Sequence, residues 1–139
     1  MLAPQEVDRL EKLIPVLEEA KYGHLYVAGP KKKHGSLVAF REDSYSVHGH
    51  TVLHYDDIYV RADGTDSSRK GLSFRTKNVA NVVALAKVGD PDEGYIVATT
   101  HLFWHPSSVT YSRTKCATDL LFQLQLCIRT SEVRIVLHF

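Results

Sequence analysis

The chain has 139 residues, of which 44% are hydrophobic and 24% are charged, and its formal net charge is +1. These values are ordinary for one soluble globular domain, and no repeat or low-complexity tract occurs. A net charge so close to zero excludes a global attraction to nucleic acid, so any contact with RNA must come from a local group of cations.

The sequence contains no membrane or export signal. No apolar run approaches the roughly 18–20 residues of a membrane span, and the N-terminus lacks a basic region followed by an apolar one. Cys116 and Cys127 lie eleven positions apart and form no CxxC pair. We interpret them as reduced, packed thiols, which favours a cytoplasmic or other intracellular location without membrane contact.

The first half of the chain predicts one helical region followed by strands. Residues 6–21 carry an apolar stripe at helical spacing, formed by Leu10, Leu13, Ile14 and Leu17. Pro15 interrupts this pattern, so we expect a kink or a second short helix opening near it. Strand-like stretches follow at 22–28, 36–40 and 45–59, with Asp56 and Asp57 marking a turn.

The second half predicts more strands and a second helix. A polar loop at 61–71 precedes an apolar strand at 76–86, and a hairpin loop at 89–94 leads into a β-branched strand at 96–100. A helix is predicted at 109–126 and a final strand at 132–139.

His101 directly follows the β-branched strand, and Pro106 forces a loop soon after it. Ligand sites of α/β proteins gather where strands end, so His101 can face a ligand from a rigid support. The same position equally suits a structural histidine that is hydrogen-bonded at the rim of a core. The spacing alone leaves both interpretations open.

Three segments occur in the order of motifs known from one superfamily. They are Gln-Glu-Val-Asp at 5–8, His-Gly-Ser-Leu-Val-Ala-Phe at 34–40 and Thr-His-Leu-Phe-Trp-His-Pro at 100–106. They resemble motifs of the endonuclease/exonuclease/phosphatase superfamily, in its deadenylase-like branch, which includes nocturnin, the Angel proteins and related RNA exonucleases. The resemblance is clear over residues 3–115, and the tail at 119–139 matches no motif.

This resemblance implies a fold and an activity. The fold would be a partial four-layer α/β sandwich of mostly antiparallel strands with flanking helices, and residues 1–139 would form an incomplete, N-terminal part of the domain. The activity would be Mg²⁺-dependent hydrolysis of phosphodiester bonds by an RNA 3′-exonuclease acting on RNA or a nucleotide. A partial domain would expose a sheet edge, so self-association is also expected.

The resemblance also implies that Glu6 binds Mg²⁺ and that His101 is catalytic. Mg²⁺ takes oxygen ligands, commonly one or two carboxylates with water and substrate phosphate, so a single glutamate is compatible with it. An alternative explanation for Glu6 is structural, because exposed amides at the start of a helix stabilise a carboxylate.

Three further positions have open roles. One lysine of 31–33, Lys31 or Lys32, corresponds to a family residue that reaches phosphate, although lysines in a turn are commonly just solvated. Asn78 begins the strand at 76–86 and either binds a phosphate oxygen or caps a turn. Trp104 either stacks on a base or belongs to the core.

Two motifs of the superfamily do not occur in this sequence. They are Gly-Asp-Phe-Asn and Ser-Asp-His; the one Gly-Asp pair, Gly89-Asp90, continues with Pro91-Asp92. Loss of a general base alone costs about 10²–10⁴-fold in rate. Two predictions follow: an exonuclease that is impaired as an isolated chain, or a catalytically incompetent truncated domain that at most binds nucleotide or RNA ends.

Overall fold

The computed structural model describes residues 1–57, 63–65 and 76–101, and the backbone of 133–138. The described elements, in chain order, are helix α1 (Leu10–Glu19), strands β1 (Tyr22–Val27), β2 (Ser36–Arg41) and β3 (Tyr45–His54), a 3₁₀ turn (Tyr55–Asp57), and strands β4 (Val79–Lys87), β5 (Asp90–Thr100) and β6 (Val133–His138). The predicted helix at 109–126, most of the loop at 61–71, and Trp104 lie outside the described residues.

The small sheet consists of β1 and β2, which pair antiparallel. The N-terminal segment extends this sheet along the free side of β2. Leu2 and Ala39 exchange two backbone hydrogen bonds of 2.8 Å, and Val7 pairs with Gly35. Residues 2–7 therefore behave as a short, irregular strand, although the sequence offered only three apolar residues at this end.

The large sheet has the strand order β3-β4-β5-β6. The first three strands are antiparallel, and β6 lies parallel to β5. The predicted hairpin joins β4 to β5, but its loop is shorter than 89–94, because β5 already begins at Asp90 and Lys87 pairs with it. Gly89 has a φ of 87°, so the chain reverses within two residues rather than six.

The core lies between the two sheets. Val38 and Phe40 of the small sheet pack against Val83, Leu85 and Val97 of the large sheet. These core residues lie at alternate positions of β2 and β4 because successive side chains point to opposite faces of a sheet.

Helix α1 covers the outer face of the small sheet. Leu17 packs with Leu37 and Ala39 of β2, and the predicted stripe residues Leu10 and Leu13 border this cluster. β2 is therefore buried on both faces. Helix, small sheet and large sheet form three described layers, and the predicted α/β sandwich of mostly antiparallel strands is confirmed.

One predicted boundary near the N-terminus is wrong. The helix begins at Leu10 rather than at residue 6, because residues 2–7 are engaged with β2. A single helix continues through Pro15, so the alternative of a second short helix opening there is wrong as well, and the expected kink stays a prediction. Pro15 removes one backbone hydrogen bond, and we attribute the helix's continuity to the contacts of Leu13 and Leu17 with the sheet.

One buried amide links the two sheets. Asn81 of β4 is fully buried, and its Nδ2 donates to the carbonyl oxygen of Leu25 in β1 at 2.9 Å. Its Oδ1 lies 2.9 Å from His50 Nε2 of β3, which must donate because the oxygen can only accept. The described part of the chain contains no helix long and apolar enough to cross a membrane.

Candidate functional site

Glu6 lies in a bulge of the N-terminal segment. Five positions separate Leu2 from Val7, whereas four separate their partners Ala39 and Gly35, so the segment carries one extra residue. A bulge of this kind redirects a side chain out of the regular pairing. Glu6 has a φ of 54°, which is uncommon for a residue with a side chain and is held here by the pairing on both sides.

The bulge brings Glu6 to His101, which follows the last residue of β5. Glu6 Oε1 lies 3.5 Å from His101 Nε2, and both side chains keep solvent access, with 64% and 41% of their surface exposed. The ring of His34 lies edge-on to the His101 ring, with the ring centres 6.3 Å apart. An acidic oxygen and two imidazoles therefore share one open space at an end of the sandwich.

The lysine run forms a tight turn, and the turn points its lysines in different directions. The Lys32 N–H donates to the Gly29 carbonyl at 3.0 Å, Pro30 is second in the turn, and Lys31 has a φ of 60°. Proline second and a positive φ third are typical of a type II turn. Lys31 and Lys33 are exposed, whereas Lys32 is half-buried and its ammonium group donates to Asn78 Oδ1.

Partial burial lowers the pKa of Lys32, because the charged ammonium form loses hydration there. Asp56 opposes this effect, because its negative charge favours the charged form and raises the pKa of Lys32. The neighbouring positive charge of Lys77 lowers the pKa further. Lys32 is thus a cation held partly out of water, where an anion attracts it more strongly than at the surface.

Asn78 belongs to a short segment that several contacts fix in place. It is 7% exposed, and its carbonyl accepts the Tyr55 N–H at 3.2 Å. Gly29 packs against the Lys77 carbonyl so closely that a Cβ at position 29 would lie 1.8 Å from that oxygen. The lysine turn therefore rests directly on residues 77 and 78, which explains how Lys32 reaches Asn78.

One cleft collects these groups. Its lining consists of Glu6, Gly29, Lys32, His34, Gly35, Ser36, Lys77, Asn78, Val79 and His101. The predicted site residues Glu6, Lys32, Asn78 and His101 thus lie together, although their roles stay predictions. Lys31 is exposed and is not part of the lining.

Two titratable residues of the lining, His34 and Lys77, were not predicted as site residues. Both adjoin positions that the sequence did indicate, since His34 opens the second motif and Lys77 precedes Asn78. Among the residues that the structure describes, no group of three or more His, Cys, Asp or Glu side chains is placed to hold a metal ion. A metal ion in this cleft would depend on Glu6 with water and substrate oxygens.

The fold and the cleft place the chain among α/β sandwich proteins with a polar site where two sheets meet. No family model matches the sequence. A probable RNA exonuclease of Schizosaccharomyces pombe is 31% identical over 107 residues, which are 73% of this chain and 19% of that protein. The probable RNA exonuclease NGL3 of Saccharomyces cerevisiae is 41% identical over 81 residues, 56% of this chain and 15% of the relative.

Solved structures agree with these relatives. The human nocturnin catalytic domain with bound sulfate superposes with a TM-score of 0.74 at 17% identity, covering 98% of this chain and 48% of that one. ANGEL2, a 2′,3′-cyclic phosphatase in complex with adenosine-2′,3′-vanadate, gives a TM-score of 0.57 at 25% identity, covering 76% and 28%.

The chain belongs to the endonuclease/exonuclease/phosphatase superfamily, in its deadenylase-like branch of nocturnin- and Angel-type RNA exonucleases. The predicted family is confirmed. The chain spans less than a fifth of the length of the two yeast relatives.

Proposed function

We propose that this chain contributes the metal- and phosphate-binding side of a Mg²⁺-dependent phosphodiesterase that hydrolyses RNA from its 3′ end. One observation carries the proposal: Glu6, Lys32, Asn78 and His101, which are far apart in the sequence, line a single cleft between the two sheets. The names of the yeast relatives support RNA as the substrate class.

Lys32 binds a phosphate oxygen in this proposal. Its ammonium group donates to Asn78 Oδ1 and can offer further protons, since an ammonium has three donors. Asn78 holds the Lys32 ammonium group at the cleft. Because the amide of Asn78 is neutral, this hydrogen bond leaves the positive charge of Lys32 available to the phosphate. Because the pKa of Lys32 is lowered, the binding form is present below that pKa and is lost as the pH rises through it, so affinity weakens on the alkaline side.

Glu6 holds Mg²⁺ in this proposal. Its carboxylate is well exposed in the cleft, and a hard oxygen donor of this kind, completed by water and a substrate phosphate, fits the ion's preferences. When bound, Mg²⁺ would polarise the phosphoryl oxygen and stabilise the leaving oxyanion. The bulge at Glu6 keeps the carboxylate in the cleft independently of the ion.

His101 supplies a hydrogen-bond donor beside Glu6 in this proposal. Its Nε2 faces Glu6 Oε1, and the edge contact with His34 restricts the orientation of the ring. Held in this way, His101 can donate a proton or a hydrogen bond to an oxygen of the reacting phosphate.

A second candidate is a domain that binds RNA ends or nucleotides without hydrolysing them. The sequence favours it in one respect, because it contains neither Gly-Asp-Phe-Asn nor Ser-Asp-His. Both candidates use the same cleft and the same Lys32, and both suit an intracellular location, which a sequence with two cysteines and no CxxC pair favours. The two candidates differ only in whether the bound RNA is hydrolysed.

Cleavage and binding of 3′-labelled oligo(A), with and without Mg²⁺ and EDTA, test both candidates. Glu6→Gln removes the proposed metal ligand, and Glu11→Gln is a matched control, since Glu11 is an exposed acid on α1 outside the cleft lining. Mg²⁺-dependent cleavage that Glu6→Gln abolishes supports the phosphodiesterase. Binding that Lys32→Ala weakens, without cleavage, supports the binding domain. Failure to cleave or bind refutes both.

A further inference from the structure

Asp56 ties the 3₁₀ turn after β3 to the segment that carries Asn78. Its Oδ2 accepts the backbone N–H of Lys77 at 3.1 Å, and its Oδ1 accepts the Thr76 hydroxyl at 3.4 Å. The neighbouring N–H of Tyr55 donates to the Asn78 carbonyl at 3.2 Å. Three hydrogen bonds from one turn therefore fix residues 76–78 just before β4 begins.

That segment is the surface on which the lysine turn rests. The Lys77 carbonyl packs against the backbone of Gly29, and Asn78 Oδ1 accepts the Lys32 ammonium group. Lys77 has a φ of 53°, a backbone conformation that needs such external support in a residue with a side chain. Loss of the Asp56 hydrogen bonds would thus displace Asn78 and weaken its contact with Lys32.

Asp56 also acts on Lys32 through its charge. Two charged side chains influence the pKa of Lys32: Asp56 raises it, and Lys77 lowers it together with burial. The other titratable groups that line the cleft are Glu6, His34 and His101. The carboxylate of Asp56 therefore favours the charged form of Lys32 by raising its pKa.

We propose that Asp56 is a positioning residue, which holds Asn78 and Lys32 in place for an anionic ligand and lies outside the cleft lining itself. The anion is the substrate phosphate, and in this respect the proposal rests on the proposed function. Three observations support a link from Asp56 to Asn78 and Lys32: the hydrogen bonds, the close packing at Gly29 and the charge interaction.

Asp56→Asn tests the proposal, because it keeps the size of the side chain and removes its charge. Asp57→Asn is the matched control: it makes the same change on an adjacent, exposed residue. NMR of ¹³C-labelled lysine, with the Lys32 signal assigned from Lys32→Arg, should show Lys32 losing its proton at lower pH in Asp56→Asn and not in Asp57→Asn. Inorganic phosphate should bind about two- to fivefold more weakly near that pH, the size of one partly exposed charge interaction.

A measurement on the unmodified protein guards against a variant that does not fold. A backbone N–H that donates to a carboxylate exchanges slowly with solvent, so the Lys77 amide proton should be protected from hydrogen exchange in the native protein. Thr76→Val gives a second test, since it keeps the Asp56 charge and removes the hydroxyl that donates to Asp56 Oδ1 and accepts the Asn78 N–H, both at 3.4 Å. It should weaken phosphate binding and leave the Lys32 titration nearly unchanged.

The outcomes separate this proposal from the proposed function. A Lys32 titration that is the same in Asp56→Asn and in wild type, or a Lys77 amide that exchanges as fast as one without a hydrogen bond, overturns the role of Asp56. If the titration moves as expected and phosphate does not bind even to wild type, Asp56 still positions Lys32, and the phosphate-binding function fails instead.

Discussion

Gly29→Ala tests the contact between the lysine turn and the Lys77 carbonyl. An alanine Cβ would lie 1.8 Å from the carbonyl oxygen, and real Cβ contacts essentially never fall below 3.0 Å. The two backbones must therefore separate by about 1.2 Å or more, because a backbone carbonyl, unlike a side chain, cannot rotate away. Overpacking of this kind costs roughly 1–3 kcal/mol of unfolding free energy.

The same displacement should separate Lys32 from Asn78. A hydrogen bond weakens quickly when its atoms move apart by an ångström, so the Lys32 ammonium should return to solvent. Urea unfolding measures the loss of stability, and titration with inorganic phosphate measures the loss of binding. We expect both to change in Gly29→Ala.

Gly49→Ala is the matched control. A Cβ at this position on β3 meets only the Ala84 Cβ, at an ordinary distance of 3.8 Å. The control should unfold within about 0.5 kcal/mol of wild type and bind phosphate equally well. A Gly29→Ala protein that is as stable as this control and binds phosphate normally would refute the geometry described for the turn.

Three further predictions concern stability and assembly. Asn81→Leu should destabilise the fold by about 1–3 kcal/mol in urea unfolding, because it leaves the partly buried Leu25 carbonyl without the donor on Asn81; an unchanged midpoint would contradict the link between the sheets. Tyr55→Phe should cost about 0.5–1.5 kcal/mol, since the Tyr55 hydroxyl donates to Thr100 Oγ1 at 3.1 Å in the core; a variant as stable as wild type would show that the bond is not needed. Self-association through a sheet edge stays a prediction, which sedimentation velocity checks; a concentration-independent monomer with a sharp melt would exclude it.

The sequence predicted the strands well because their apolar residues alternate or run continuously. The strands at 22–28, 36–40 and 76–86 match β1, β2 and β4 within a few residues. The helix boundary was wrong because residues 6–9 suit a helix locally, whereas in the fold Val7 pairs with Gly35, just before β2. Hydrogen bonds with a strand that is distant in the sequence outweighed the local helix propensity of these residues.

The sequence predicted several residues of the candidate site, but it did not predict how they are arranged or held in place. Motif order selected Glu6 and His101, and the start of a strand selected Asn78. The sequence could not choose between Lys31 and Lys32, because the choice depends on the backbone conformation of the turn. Asp56 carries no motif and was interpreted only as part of a turn. Its contacts with residues 76 and 77 arise from the antiparallel pairing of β3 with β4, which no local pattern contains.

The amide of Asn81 has a consequence for the width of the cleft. One wall carries Glu6 and Lys32 beside the small sheet, and the other carries Asn78 and His101 on the large sheet. Methyl groups slide past one another with little penalty, whereas an amide that donates to one particular carbonyl permits a single lateral alignment. A slip of one residue would move the walls by about 3.3 Å, a third of the spacing between packed sheets, so this side chain keeps the two walls in register.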